Sequence, residues 1–135
     1  MRFPDWLPVY GRQDYRGDCP PEVAEQVTFF QWLQRAHPAL HRVAIHPRNE
    51  GKRTYQQARR HRLEGSLNRG ASDIIIPAGR SLVVEMKRMD HTKSRWEPGQ
   101  LEYLEAARRA GAFVGVALGW GAAAEAVEAW LHEHR

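Results

Sequence analysis

Asp73, Glu85 and Lys87 have the residue types and the spacing to do chemistry together. They lie in the stretch DIIIPAGRSLVVEMK, which reads as two strands joined by a tight turn. Ile74, Ile75 and Ile76 form one apolar run and Leu82, Val83 and Val84 the other, with Pro77, Ala78, Gly79 and Arg80 supplying turn chemistry between them. With Gly79 at the centre, antiparallel pairing sets Ile75 opposite Val83 and Asp73 opposite Glu85. The period of two then puts Lys87 on the face of Glu85. Two carboxylates facing each other in a sheet repel unless something positive lies between them. A divalent cation such as Mg2+ or Mn2+ meets that need, because carboxylate oxygens suit it. Taken alone, an Asp at a strand entry and a Glu-x-Lys at a strand end are ordinary surface features, so the argument turns on what the remaining chain brings to this hairpin.

The chain has 135 residues, enough for one domain that buries a core without staples. An apolar fraction of 42% and a charged fraction of 27% fit a globular chain. No apolar run is long enough to span a bilayer, and the N-terminus lacks the pattern of a signal peptide. The single cysteine, Cys19, allows no internal disulfide, and the expected compartment is a reducing cytosol.

Residues 1–20, rich in Pro and Gly and carrying Phe3, Trp6, Tyr10 and Tyr15, read as an arm without regular structure that packs on its own domain, residues 21–135. Pro21 to Ala36 is a helix, with Pro21 at the first position and Glu22 and Glu25 at the positive end of the dipole. Val23, Val27, Phe30 and Gln34 make one stripe, and Glu22, Gln26, Phe29 and Leu33 the adjoining one. Arg42 to His46 reads as a short strand ended by Pro47, Arg48 to Arg53 as a polar loop, and Thr54 to Leu63 as a helix with a basic face ended by Gly65. Beyond Lys87, the polar run RMDHTKSRWE leads to a helix opened by Pro98. Its stripe is Leu101, Leu104, Ala107 and the stem of Arg108, its stop is Gly111, and Gln100 in its first turn faces the sheet. Ala112 to Leu118 has the continuous apolar character of a central strand, and Ala122 to Leu131 forms a last helix around Ala123, Val127, Trp130 and Leu131. The expected class is α/β: one mixed sheet flanked by helices on both faces.

The net charge of +4 favours a polyanionic partner. Arg48, Lys52, Arg53, Arg59, Arg60, Arg62 and Arg69 crowd a region holding only two acids, and Lys87, Arg88, Lys93 and Arg95 follow the hairpin acids. Basic charge therefore gathers where a phosphate backbone would lie. Seven histidines show no HExxH or Cys/His pairing, and no P-loop, GxGxxG or GxSxG occurs. Acid-rich metal chemistry beside a basic surface remains, with Asp73 and Glu85 holding the ion, Glu22 adding a carboxylate directly or through water, and the Met86 carbonyl as an extra ligand. Lys87 would orient water or steady the phosphoryl oxygens of a phosphodiester.

Asp73, eleven residues, then Glu85-Met86-Lys87 resembles the core of the PD-(D/E)xK nucleases. The flanks look like their virus-type replication-repair nuclease (VRR-NUC) branch. Glu22-Val-Ala-Glu-Gln26 resembles its leading E-x-x-x-Q. His46, Asn49 and Arg53 match a His-x-x-Asn segment with a following Arg, Gly70 stands ahead of the Asp, and Pro98 with Gln100 looks like its Ser-x-x-Gln helix start. Gly119-Trp120 is similar to small phage-encoded members. The resemblance spans residues 21–131 and departs from the pattern at Ser72, where the family has Pro. It leaves Glu22 and Glu25 as alternatives for the first acid, with Glu22 the better match. It implies a restriction-endonuclease-like core and a Mg2+- or Mn2+-dependent DNA endonuclease. The catalytic set would be Glu22, Asp73, Glu85, Lys87 and Gln100, and DNA contacts would come from Asn49, Lys52, Arg53, Lys93, Arg95 and Arg69. Stand-alone domains of this type resemble Holliday-junction resolvases acting as homodimers on four-way or branched DNA in replication, repair or recombination. Other readings of the same features are a non-catalytic nucleic-acid-binding module and a restriction-type enzyme cutting linear duplex.

Overall fold

The computed structural model describes residues 1–47, 55–64 and 70–133. Among the described residues four strands, the first being β1 (Val9–Tyr10), form one mixed sheet in the order β1-β4-β3-β2. The hairpin at its edge joins β2 (Ile74–Ile76) to β3 (Leu82–Lys87) in the register Ile74↔Val84, Ile75↔Val83 and Ile76↔Leu82, symmetric about Gly79. β4 (Phe113–Leu118) lies parallel to β3 and is fully buried, as its unbroken apolar run predicts.

Alternation along β3 divides the core. Leu82, Val84 and Met86 face one layer, built from α1 (Glu22–Ala36) and α5 (Trp120–Glu133) around Phe29, Leu33, Val127 and Trp130. Val83 faces the other, where α4 (Gln100–Arg109) contributes Leu104 and the N-terminal residues contribute Leu7. Glu85 and Lys87, at odd positions like Val83, therefore point to the α4 side at the end of the sheet.

Four expectations need correction. Residues 1–20 do carry regular structure, since β1 (Val9–Tyr10) adds to the sheet beside β4, pairing Val9 with Val116 and Tyr10 with Ala117. Such a pairing spans more than a hundred residues and leaves no local signal beyond the alternation of Leu7 and Val9. The segment read as a strand from Arg42 is instead α2 (Pro38–Val43), because Pro38 at the first position starts a helical turn directly after α1. Only Ile45 pairs, in a single antiparallel bridge with Ile75 on the outer edge of β2. On α1 the stripe of Gln26, Phe29 and Leu33 is buried, whereas Val23 (61% exposed) and Val27 (53%) turn outward. α4 starts at Gln100 rather than at Pro98, with Gly99 as its cap at φ 91°. α3 (Tyr55–Leu63) falls where a basic helix was expected, and Arg59 and Arg60 are exposed on it. No helix among the described residues is long and apolar enough to cross a membrane.

Candidate active site

A cleft of about 910 Å³ opens at the end of β3, between the start of α1, the approach to β2 and the start of α4. Glu22, Asp73, Glu85, Lys87 and Gln100 all line it, as do Lys93 and Arg95. Asn49, Lys52, Arg53 and Arg69 lie outside the described residues.

Asp73 enters the hairpin one residue before β2. Its Oδ2 accepts the Met86 backbone N–H at 2.9 Å, and its own carbonyl is held by His46 Nδ1 at 2.7 Å. The bond from Met86 sets the Asp73 carboxylate against the strand that carries Glu85. The Met86 carbonyl leaves β3 on the same side as its amide, toward the Asp73 edge.

Glu85 is 1% exposed. Its Oε1 accepts from Gln100 Nε2 at 3.1 Å and lies 4.0 Å from Lys87 Nζ, while its buried Oε2 has no hydrogen-bond partner. Burial first, and then the charge of Asp73, pushes the Glu85 carboxyl well above the usual carboxylate range, and Lys87 opposes this without overcoming it. A buried carboxylate oxygen without a partner, beside a second carboxylate, is a donor set that fits a divalent cation. Among the described residues no three His, Cys, Asp or Glu side chains gather closely enough to hold a metal by themselves. A two-carboxylate site completed by a backbone carbonyl, water and phosphate oxygens is the coordination Mg2+ favours.

This electrostatic fault has a measurable consequence. Because the folded protein holds a proton on Glu85 at a pH where the unfolded chain has released it, the contribution of Glu85 to metal-free stability is greatest below the ordinary carboxylate range. It falls as pH rises toward the elevated folded value. Glu85→Gln lacks that slope. In EDTA at neutral pH its melting midpoint should lie about 5 °C above that of the parent, with the two converging near pH 4. Parallel curves from pH 4 to 9 would refute the buried-acid assignment.

Lys87 is 2% exposed, and its ammonium is held by one backbone and one side-chain acceptor. Nζ donates to the Arg95 carbonyl at 2.7 Å and to Gln100 Oε1 at 2.8 Å, and it lies 5.3 Å from the centre of the Trp96 ring. Two of its three donors are thereby used, leaving a third N–H. Gln100 acts as the spacer of the site. Its Oε1 accepts from both Lys87 Nζ and the Glu97 N–H, and its Nε2 donates to Glu85. Those partners fix which way the amide faces.

Glu22 is half-buried at the first turn of α1, and its Oε1 accepts from Ser94 Oγ at 3.0 Å. Glu25, the other acid open from sequence, is buried elsewhere. Its Oε2 accepts the Trp120 N–H at 2.9 Å and so caps the positive end of α5. That cap was not legible locally, because donor and acceptor stand 95 positions apart. Lys93 gives its Nζ to the Gly17 carbonyl at 2.8 Å, and Arg95 pairs with Glu97 at 3.0 Å on the open rim. Ser94 and Trp96 went unnoticed in the sequence. The only signal was a hydroxyl and an indole within a polar connection.

Ser72, next to Asp73, is fully buried and its Oγ has no hydrogen-bond partner. Ser72→Ala removes an unsatisfied hydroxyl and should leave the protein as stable or up to about 1 kcal/mol more stable in denaturant titration. A loss of stability would mean that the hydroxyl has a partner in solution.

The chain thus forms one mixed sheet with helices on both faces and two acids at the end of its hairpin. No protein-family model matches the sequence, and no curated protein matches it. Among solved structures the chain is similar to a "VRR_NUC domain protein", with a TM-score of 0.67 and 21% identity over 87% of this chain and 92% of that one. The fold of this chain is therefore that of a VRR_NUC domain, which matches the resemblance read from the sequence.

Proposed function

We propose that this protein is a divalent-metal-dependent DNA endonuclease of the VRR-NUC type, selective for branched DNA such as a four-way junction. The observation that carries the reading is the buried Asp73–Glu85 pair, with its unpartnered Glu85 Oε2, beside the hydrogen-bonded ammonium of Lys87. Asp73, Glu85 and the Met86 carbonyl would hold Mg2+ or Mn2+, with Glu22 adding a carboxylate directly or through water. Such an ion supplies charge neutralisation at a phosphodiester and a more acidic water. Lys87 offers its remaining N–H to a phosphoryl oxygen or to the attacking water, and Gln100 keeps Lys87 and Glu85 in register. Lys93 and Arg95 line the same cleft and would meet the DNA backbone, as would Asn49, Lys52, Arg53 and Arg69.

Paired cuts on a symmetric junction call for two copies related by a two-fold axis, so a homodimer belongs to this reading. Light scattering on the free protein and on its junction complex measures that. The defining experiment offers labelled four-way junction, flap and linear duplex with Mg2+, Mn2+ or EDTA. Metal-dependent cleavage confined to branched DNA supports the proposal. Cleavage of linear duplex at fixed sequences would replace it with a restriction-type enzyme, and salt-sensitive binding without cutting of any substrate would replace it with a binding module.

A further inference from the structure

Ser94 stands on the rim of the cleft, directly after the short 3-10 turn His91–Lys93. Its Oγ accepts the Arg88 backbone N–H at 3.1 Å and donates to Glu22 Oε1 at 3.0 Å. A serine hydroxyl carries one hydrogen. With an amide N–H aimed at the oxygen, that hydrogen is committed to the carboxylate, so the direction of the bond is fixed. The bond joins the loop that follows Lys87 to the first turn of α1.

The same loop is fastened from outside by the residues that precede α1. Arg88 Nη2 donates to the Cys19 carbonyl at 2.6 Å and Nε to the Pro20 carbonyl at 3.2 Å. Lys93 Nζ reaches the Gly17 carbonyl, and the Gly17 N–H reaches Asp90 Oδ2 at 3.0 Å. Arg88 closes this ring, since its amide meets Ser94 while its guanidinium meets the two residues leading into α1. The hydroxyl of Ser94 is the innermost tie, and it lands on a carboxylate instead of on backbone.

From this geometry we propose that Ser94 is a positioning residue, holding the Glu22 carboxylate on the lining of the cleft, where it would support through water a cation held by the Asp73–Glu85 pair. The proposal rests on the nuclease reading of the cleft. Partners of this kind, which orient a metal-binding group, are worth about 10- to 100-fold in metal affinity or activity.

The test uses the full chain and Mn2+ alone, read by the shift in melting midpoint, with junction cleavage in parallel. Ser94→Ala should raise the Mn2+ concentration for half-maximal stabilisation by about tenfold or more. Ser94→Thr, which keeps the hydroxyl, should restore it, whereas the isosteric Ser94→Val should not. Cleavage by Ser94→Ala should recover at high Mn2+ with the KM for junction unchanged. In a Glu22→Gln background Ser94→Ala should add no further loss. An unchanged Mn2+ midpoint in Ser94→Ala, equal behaviour of the Thr and Val variants, or losses that add in the double variant would overturn the proposal. If Ser94→Ala fails to fold in EDTA, the Thr and Val pair decides. If Glu22→Gln keeps both its Mn2+ midpoint and its cleavage, the role of Ser94 falls with that of Glu22, while Asp73→Ala reports separately on the nuclease centre.

Discussion

Lys87→Ala should lower the rate of junction cleavage by about a thousandfold while leaving the fold and DNA affinity in place. The size follows from what a preorganised ammonium does, since one donor aimed at developing charge is worth about a hundred- to a thousandfold. Lys87 is also the cationic neighbour that partly offsets the pull of burial and of Asp73 on the Glu85 proton. Its loss leaves Glu85 holding that proton more firmly and weakens the carboxylate pair as a cation site. The fold should tolerate the change because both acceptors of Nζ lie in residues that line an open cleft, where water can replace it, and Gln100 Oε1 keeps the Glu97 N–H. Gel-shift measurements in Ca2+ and circular dichroism separate binding and folding from chemistry. Cleavage above a tenth of the parent rate would remove Lys87 from the mechanism.

Gly70→Ala should cost about 2–5 kcal/mol and lower the melting midpoint by roughly 10 °C or more. Gly70 adopts φ 77°, a left-handed conformation that alone costs an L residue about 1–2 kcal/mol. A Cβ there would also sit on the carbonyl group of Gly99 and 2.5 Å from the Gln100 nitrogen. Neither neighbour is a side chain that can swing away; both belong to the capped start of α4. Relief therefore requires moving Gln100, which bonds to Lys87 and Glu85, so the surviving folded fraction should cleave more slowly as well. Gly79 is the control. It has open space around it and no positive φ, so Gly79→Ala should be nearly neutral. Similar midpoints for the two variants in a thermal melt would show that the contact between Gly70 and Gly99 is not tight in solution.

The hairpin was readable because its information is local. A turn centred on Gly79 and two short apolar runs determine the register, and a period of two then sets Asp73 against Glu85 with Lys87 on the same face. The burial of β4 and the inward turn of Gln100 follow from similar short-range patterns. Where two patterns competed, sequence alone did not choose. The Val23 and Val27 stripe is as periodic as the Gln26, Phe29 and Leu33 stripe, and only the sheet and α5 decide which one is covered. Arg42 and Val43 alternate like a strand, yet a proline start after α1 winds them into α2. Each of those choices is made by a surface that another part of the chain supplies.

The sequence by itself determined the α/β class, the register of the hairpin and the clustering of two carboxylates with a lysine, because periodicity and turn chemistry act over a few residues. Tertiary structure alone decided which acid of α1 reaches the cleft. Glu25 is drawn to the exposed amide at the start of α5 and Glu22 to the hydroxyl of Ser94, through contacts that close over 95 and 72 positions. A carboxylate goes to whichever unsatisfied donor the folded chain brings to it, and no spacing along the chain records where that donor will be.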